Sequence, residues 1–211
     1  MKMAKLLYIQ ASPRKDRSKS THVATEFLKR YQYYHPDDRI QTVNVFHDEL
    51  PAFDGLAVQA KYTILHEEKH TSQERQAWEA VEKVIADFKS ADKYLLSVPM
   101  WNFSIPYRLK QYIDVLVQPG YTFKVDENGY EGLIKGRPIL VIYSRGGVYS
   151  EDSGAAGFDF QKRYIEQILG FIGFENIQSI VVEPTLHGNP EDIEKVIQFS
   201  IEKTIEIAKD F

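Results

Sequence analysis

The chain has 211 residues, 43% hydrophobic and 27% charged, which fits a globular protein and excludes disorder. A net charge of −4 gives no electrostatic case for nucleic acid or an anionic membrane as partner, and zero cysteines exclude disulfides, thiolate metal sites and Cys nucleophiles. No segment approaches the ~20 apolar residues of a membrane span, and the run Leu6–Ile9 is shorter than a signal h-region of ~7–15, so one cytoplasmic domain over residues 1–211 is expected.

Lys5 to Gln10 is a first strand, apolar in its middle and so buried on both faces. A polar, basic loop from Ala11 to Thr21 leads into a helix whose apolar positions are Val23, Ala24, Phe27, Leu28 and Tyr31. Arg39 to Val45 is a second, more polar strand, expected at an edge. Phe46 to Tyr62 contains Pro51 and Gly55 and is expected to be loop with one short helix. Thr71-Ser72-Gln73-Glu74 is a capping box, followed by an apolar face at Trp78, Val81, Ile85 and Phe88. Tyr94 to Val98 is a third strand. After it come Pro99-Met100-Trp101-Asn102-Phe103-Ser104-Ile105-Pro106 and a helix marked by Leu109, Tyr112, Ile113 and Leu116.

Asn128-Gly129 is a hairpin signal inside Tyr121 to Ile134, expected as an insertion at the ligand-facing end of the sheet. Pro138 to Tyr143 is the fourth strand, followed by a loop with Gly146-Gly147. Next come a helix over Phe160 to Ile172 closed by Gly173, and a fifth strand from Ile177 to Val182. Asn189 caps the last helix, with Pro190 at its first position. Strands alternating with helices predict an α/β, doubly wound, five-stranded parallel sheet. The order 2-1-3-4-5, the flavodoxin-like arrangement, puts the polar second strand at an edge.

In such sheets ligands bind at the carboxyl ends of the strands. The loop after strand one carries four hydroxyls (Ser12, Ser18, Ser20, Thr21) and four cations (Arg14, Lys15, Arg17, Lys19) at a helix N-terminus, a setting that suits a monophosphate. It matches neither G-x-x-x-x-G-K-[ST] nor G-x-G-x-x-G, which disfavours a P-loop NTPase and a typical dinucleotide fold. The loop after strand three brackets Met100, Trp101, Asn102 and Phe103 with prolines. Stiff backbone beside aromatic surface suits a flat ring with polar edges, although aromatic residues also serve as core. The paired glycines after strand four allow close approach of backbone to ligand, or simply a tight turn.

Three motifs in this order, Ser-x5-Ser-x-Ser, P-M-W-N-F-x-I-P and S-R-G-G, resemble the FMN-dependent NAD(P)H azoreductases of the flavodoxin-like quinone reductase superfamily. The resemblance covers nearly the whole chain. It implies that Ser12, Ser18, Lys19 and Ser20 bind the FMN phosphate and ribityl end. By the same resemblance Met100, Trp101, Asn102 and Phe103 line the isoalloxazine edge, largely through backbone groups and the Asn102 side chain, and Ser144, Arg145, Gly146 and Gly147 close on the pyrimidine side. Trp101 stands where relatives commonly have Tyr, and Tyr149 where they often have His. Two-electron, ping-pong reduction of azo compounds or quinones by NADH or NADPH is the implied reaction, with one cycle for a quinone and two for an azo bond. A homodimer is also implied, in which residues near Phe123 and Phe171 of a second subunit cover the ring. No catalytic acid or base is assigned.

Two other readings are open to test. A flavodoxin-type electron carrier would bind FMN without turning over NAD(P)H. His66-Glu67-Glu68-Lys69-His70 matches H-E-x-x-H of zinc metalloproteases, but Thr71-Ser72 signals a new helix immediately after it, whereas that motif belongs inside one packed helix.

Overall fold

The computed structural model describes residues 3–66, 68–127 and 129–211. Its elements in chain order are β1 (Lys5–Gln10), α1 (Lys19–Tyr34), β2 (Arg39–Asn44), α2 (Gly55–Leu65), α3 (Ser72–Lys89), β3 (Lys93–Pro99) and α4 (Tyr107–Leu116). They continue with β4 (Phe123–Asp126), β5 (Gly129–Gly132), β6 (Ile139–Ser144), α5 (Phe160–Ile172), β7 (Ile177–Val182) and α6 (Pro190–Asp210). The five-stranded sheet runs β2-β1-β3-β6-β7, with every pair parallel. Allowing for the hairpin strands β4 and β5, this is the expected 2-1-3-4-5 order, with β2 at an edge.

Successive side chains of a strand point to opposite faces, so a central strand needs apolar residues at every position. One face of the sheet buries Leu7, Ile9, Leu96, Val98, Val141 and Tyr143 against α3, α4 and α5. The other buries Leu6, Tyr8, Leu95, Leu140, Ile142 and Val182 against α1 and α6. Burying each such Leu or Ile contributes roughly 1.5–3 kcal/mol, so the unbroken apolar runs of β1, β3 and β6 define the centre of the molecule. The capping box of α3 forms as expected, with Thr71 and Glu74 exchanging backbone and side-chain hydrogen bonds.

One expectation holds with different bounds and one needs correction. The short helix expected within 46–62 is α2, which starts there and runs past that stretch to Leu65, and whose N-cap Asp54 accepts hydrogen bonds from the Leu56 and Ala57 N–H groups. Its buried face is Ala57, Ala60 and Thr63, while Leu56, Tyr62 and Ile64 are exposed, so no apolar stripe marked it. The hairpin β4–β5 lies at the end of the sheet opposite the expected one. It follows the C-terminus of α4, and its exit residue Ile134 donates its N–H to Ile172 at the C-terminal end of α5. Helices return antiparallel to the strands, so a segment joining a helix end to the next strand lies at the amino edge. The rings of Phe123, Tyr130 and Phe171 pack together there within one chain, with centroids 4.8–6.2 Å apart. Asn128 of the turn lies outside the described residues.

Candidate functional site

β1, β3 and β6 are adjacent, so their carboxyl ends form one row. Backbone hydrogen bonds stitch that row together, from Ala11 N–H to Ser97 O at 3.1 Å and from Met100 N–H to Ser144 O at 2.8 Å. The three loops singled out in the sequence leave from this row.

The first loop delivers three serine hydroxyls to the start of α1. Ser12, Ser18 and Ser20 are 1%, 3% and 0% exposed. Ser18 is the N-cap, accepting from Thr21 N–H at 3.4 Å, and it shares a 3.3 Å hydrogen bond with Ser20; Ser12 accepts from Arg14 N–H at 3.3 Å. All three contacts are longer than the usual 2.7–3.0 Å or so, so these buried hydroxyls retain hydrogen-bonding capacity. The first turn of α1 carries no acidic residue, whereas α6 has Glu191 and Asp192 there. The positive end of the α1 dipole is thus left uncompensated, which favours an anion. Lys19 is half-buried at the first helical position, and Arg14, Lys15 and Arg17 are exposed.

Beneath α1 the Tyr8 hydroxyl shares a buried 2.9 Å hydrogen bond with Ser97. Burial pushes this phenol up to about 12, against the lowering effect of hydrogen bonds to Ser97 and Thr21. Tyr8 is therefore a neutral hydrogen-bonding group at physiological pH.

The second loop is a miniature hairpin. Trp101 and Ser104 exchange both backbone hydrogen bonds at 2.9 Å, and the two residues between them, Asn102 and Phe103, have φ of 47° and 69°. Two central residues with positive φ make a type I′ turn. Asn tolerates this region, but Phe does not, and a residue held there costs on the order of 1–3 kcal/mol. The N–H groups of Met100 and Trp101 are committed to Ser144 and Ser104, leaving those of Asn102 and Phe103 at the exposed apex. Trp101 is half-buried with its ring 5.5 Å from Phe46, while Phe103 is 45% exposed and lies 5.2 Å from Phe158 and 6.2 Å from Tyr149. Beside this turn opens a cleft of about 830 Å³ whose walls include Phe53, Asp54, Trp101, Tyr107, Lys110 and Tyr164.

The third loop is anchored by Arg145, whose side chain is 2% exposed and points into the protein. Its Nε donates to Gln161 Oε1 at 3.0 Å, its Nη2 to Asp159 at 2.6 Å and its Nη1 to Glu183 at 3.3 Å. The guanidinium is used up inside the fold, so Arg145 reaches the site only through the backbone it fixes. A Cβ on Gly146 would meet Leu186 Cδ1 at 2.9 Å, and the Gly146 carbonyl accepts from the N–H groups of Leu186 and His187. Leu186 is exposed and its side chain can yield, so what ties this residue to the segment after β7 is its carbonyl. A Cβ on Gly147 would find ordinary 3.6 Å contact with the Tyr149 ring.

Asp159, Gln161 and Glu183 were absent from the sequence reading of the site. Asp159 had a legible signal, since Asp immediately before a periodic apolar run marks an N-cap. Glu183 had none. The histidine motif does not form a helical zinc site: His66 caps the end of α2, His70 bonds the Ala60 carbonyl at 2.8 Å, and α3 starts only at Ser72. Glu67 lies outside the described residues. Among the described residues no helix is long and apolar enough to cross a membrane.

Residues 4–206 match a family model described as flavodoxin-like fold. An FMN-dependent NADH:quinone oxidoreductase of Nitratidesulfovibrio vulgaris is 49% identical over 209 residues, covering 99% of this chain and 100% of that protein. One of Desulfotalea psychrophila is 47% identical, covering 99% and 98%. Among solved structures, an azoreductase from Bacillus anthracis superposes with a TM-score of 0.91 at 30% identity, covering 99% of this chain and 100% of that one. An FMN-dependent NADH-azoreductase of the same species, solved in complex with FMN, gives 0.89 at 30% identity, covering 99% of each chain. The chain belongs to the flavodoxin-like family, in the company of the FMN-dependent NADH:quinone oxidoreductases.

Proposed function

We propose that this protein is an FMN-dependent NADH oxidoreductase that reduces quinones or azo compounds, with residues 1–211 acting as one flavin-binding domain. The observation that carries the reading is the row of three buried, under-used serine hydroxyls at an uncompensated helix N-terminus, in line with a strained aromatic turn after the neighbouring strand. The residues present fit FMN at both ends. Ser12, Ser18, Ser20 and the first N–H groups of α1, with Lys19 beside them, suit a phosphate dianion. Asn102, the apex N–H groups of the 101–104 turn and the aromatic side chains of Trp101 and Phe103 suit a flat ring with polar edges. Met100 and Ser144 hold the two ring-side loops together through their backbone bond. Gly146 and Gly147 put no side chain on the third loop, which suits close approach of its backbone to a ligand.

Bound FMN would supply the redox chemistry, accepting a hydride from NADH and passing two electrons to the acceptor. The chain's own residues bind, orient and shield. The α1 N-terminus fixes the phosphate end, and the stiff turn sets the plane on which an aromatic partner stacks. The cleft beside Trp101 gives nicotinamide or acceptor an approach. A quinone, NADH and a proton give hydroquinone and NAD⁺; an azo bond consumes two NADH and two protons to give two amines.

The same reading includes a homodimer. The exposed Val125 and Tyr130 of the hairpin support it, because exposed aliphatic and aromatic side chains side by side favour a partner surface. A cytoplasmic site fits the absence of cysteine. Purified protein should be yellow, and should oxidise NADH when a quinone or an azo dye is present. A flavin-binding protein that turns over no acceptor would instead be an electron carrier.

A further inference from the structure

The buried Arg145 guanidinium ties its own loop to two other segments, the start of α5 and the residue after β7. Asp159, which takes its Nη2, also caps α5 by accepting from Gln161 and Lys162 N–H at 3.0 and 2.9 Å. Gln161, which takes its Nε, donates in turn to the Val98 carbonyl at 2.9 Å, just before the turn of the second loop. Glu183, which takes its Nη1, also accepts from the Tyr149 N–H at 3.0 Å. The Arg145 carbonyl accepts from both the backbone N–H and the hydroxyl of Thr185. Finally, the first residue of α5, Phe160, donates its N–H to the Phe103 carbonyl at 3.0 Å. Both ring-facing walls, the 101–104 turn and the 146–149 loop, are therefore referenced to the same side chain. They meet where Phe103 faces Tyr149 at 6.2 Å.

A hydrophobic residue could fill this space, and buried ion pairs are seldom justified by stability alone. What apolar packing cannot supply is direction. The planar guanidinium fork fixes three acceptors at set angles. Two of those acceptors are carboxylates, so removing the charge leaves both without their shared cation, and removing the fork leaves acceptors without a donor.

We propose that Arg145 is a positioning residue for the flavin ring: through Asp159, Gln161 and Glu183 it holds the turn and the loop at the separation the ring requires. The proposal rests on the flavin reading above. It makes the arginine of the S-R-G-G stretch an internal brace that does not touch the cofactor.

The test compares wild type with Arg145→Lys, which keeps the charge without the fork, and Glu183→Gln, which keeps an acceptor for Tyr149 without the charge. Each is prepared flavin-free and titrated with FMN and with riboflavin. Both flavins should bind about tenfold more weakly to each variant, in parallel, because the ring side is loosened while the phosphate loop is intact. The visible circular dichroism of bound flavin should change. Amide exchange at 101–104 and 146–149 should quicken in the flavin-free variants. If Arg145→Lys fails to fold, Glu183→Gln decides. Variants with wild-type flavin affinities and wild-type exchange, whatever their melting temperature, would overturn the proposal and leave the cluster a structural tie. Loss of FMN affinity with riboflavin unchanged would overturn it in favour of the phosphate loop. Wild-type protein that binds neither flavin would overturn the underlying flavin reading instead.

Discussion

Phe160 donates its backbone N–H to the carbonyl of Phe103 at 3.0 Å, so the first residue of α5 holds a phenylalanine in the left-handed region at φ 69°. Among the described residues only Lys15, Asn102 and Phe103 share positive φ without being glycine, and two of these form the turn beside the cleft. The strain there is maintained by hydrogen bonds from outside the turn. This is how a local conformation of high energy persists in a folded chain.

Strain at Phe103 can be measured by pairing two truncations. Phe103→Ala and Phe103→Gly both remove the ring, but only glycine is at ease at this φ. Phe103→Gly should be more stable than Phe103→Ala by about 1 kcal/mol in urea unfolding, and both should weaken flavin binding.

The phosphate loop separates capping from ligand binding. Ser18 is the N-cap of α1, so Ser18→Ala should cost about 1 kcal/mol of stability as well as FMN affinity. Ser20 caps nothing, so Ser20→Ala should lower FMN affinity with little change in stability. Riboflavin, which lacks the phosphate, should bind both variants as it binds wild type. Calorimetric titration with the two flavins checks this.

The hairpin is fixed by backbone packed on backbone. A Cβ at Gly132 would lie 2.3 Å from the Gly173 nitrogen, with no side chain to yield. Gly132→Ala should cost at least the roughly 1–3 kcal/mol of an overpacked core. Gly170 of α5 has nothing within 4 Å of its missing Cβ, so Gly170→Ala should stabilise by up to about 1 kcal/mol. Thermal melts of the two variants should move in opposite directions.

Alkaline pH should unload the tyrosines. Burial pushes the Tyr8 hydroxyl up to about 12 from its ordinary 10.0, and burial aided by the Asp114 charge does the same for Tyr164. A raised folded value means the fold favours the neutral phenol. Stability is therefore complete below pH 10.0 and lost as pH rises toward about 12, where only the unfolded chain ionises freely. Urea midpoints should fall across that window, and less steeply in Tyr8→Phe.

Much of this molecule was legible in its sequence because β1, β3 and β6 are covered on both faces and so must be continuously apolar. The Thr71–Glu74 box and the Asn189-Pro190 start announced their helices for equally local reasons. Helix α2 was expected only as a short helix without bounds, because alanines form its buried face and its large apolar residues point outward. The hairpin motif was visible, but its end of the sheet follows from chain direction, which no local pattern carries. The brace was the least legible part. Asp159, Gln161 and Glu183 lie 14, 16 and 38 positions from Arg145, and nothing in their spacing marks them as partners. Arg145 was placed beside the ring by resemblance alone, and burial turns its side chain inward.

The most direct test of the central claim is an anaerobic titration of the purified, FMN-loaded protein with NADH, followed by a quinone. One equivalent of NADH per flavin should bleach the visible absorbance, and one equivalent of quinone should restore it with release of hydroquinone. Absorbance that NADH leaves unchanged, or that quinone fails to restore after bleaching, would contradict the account.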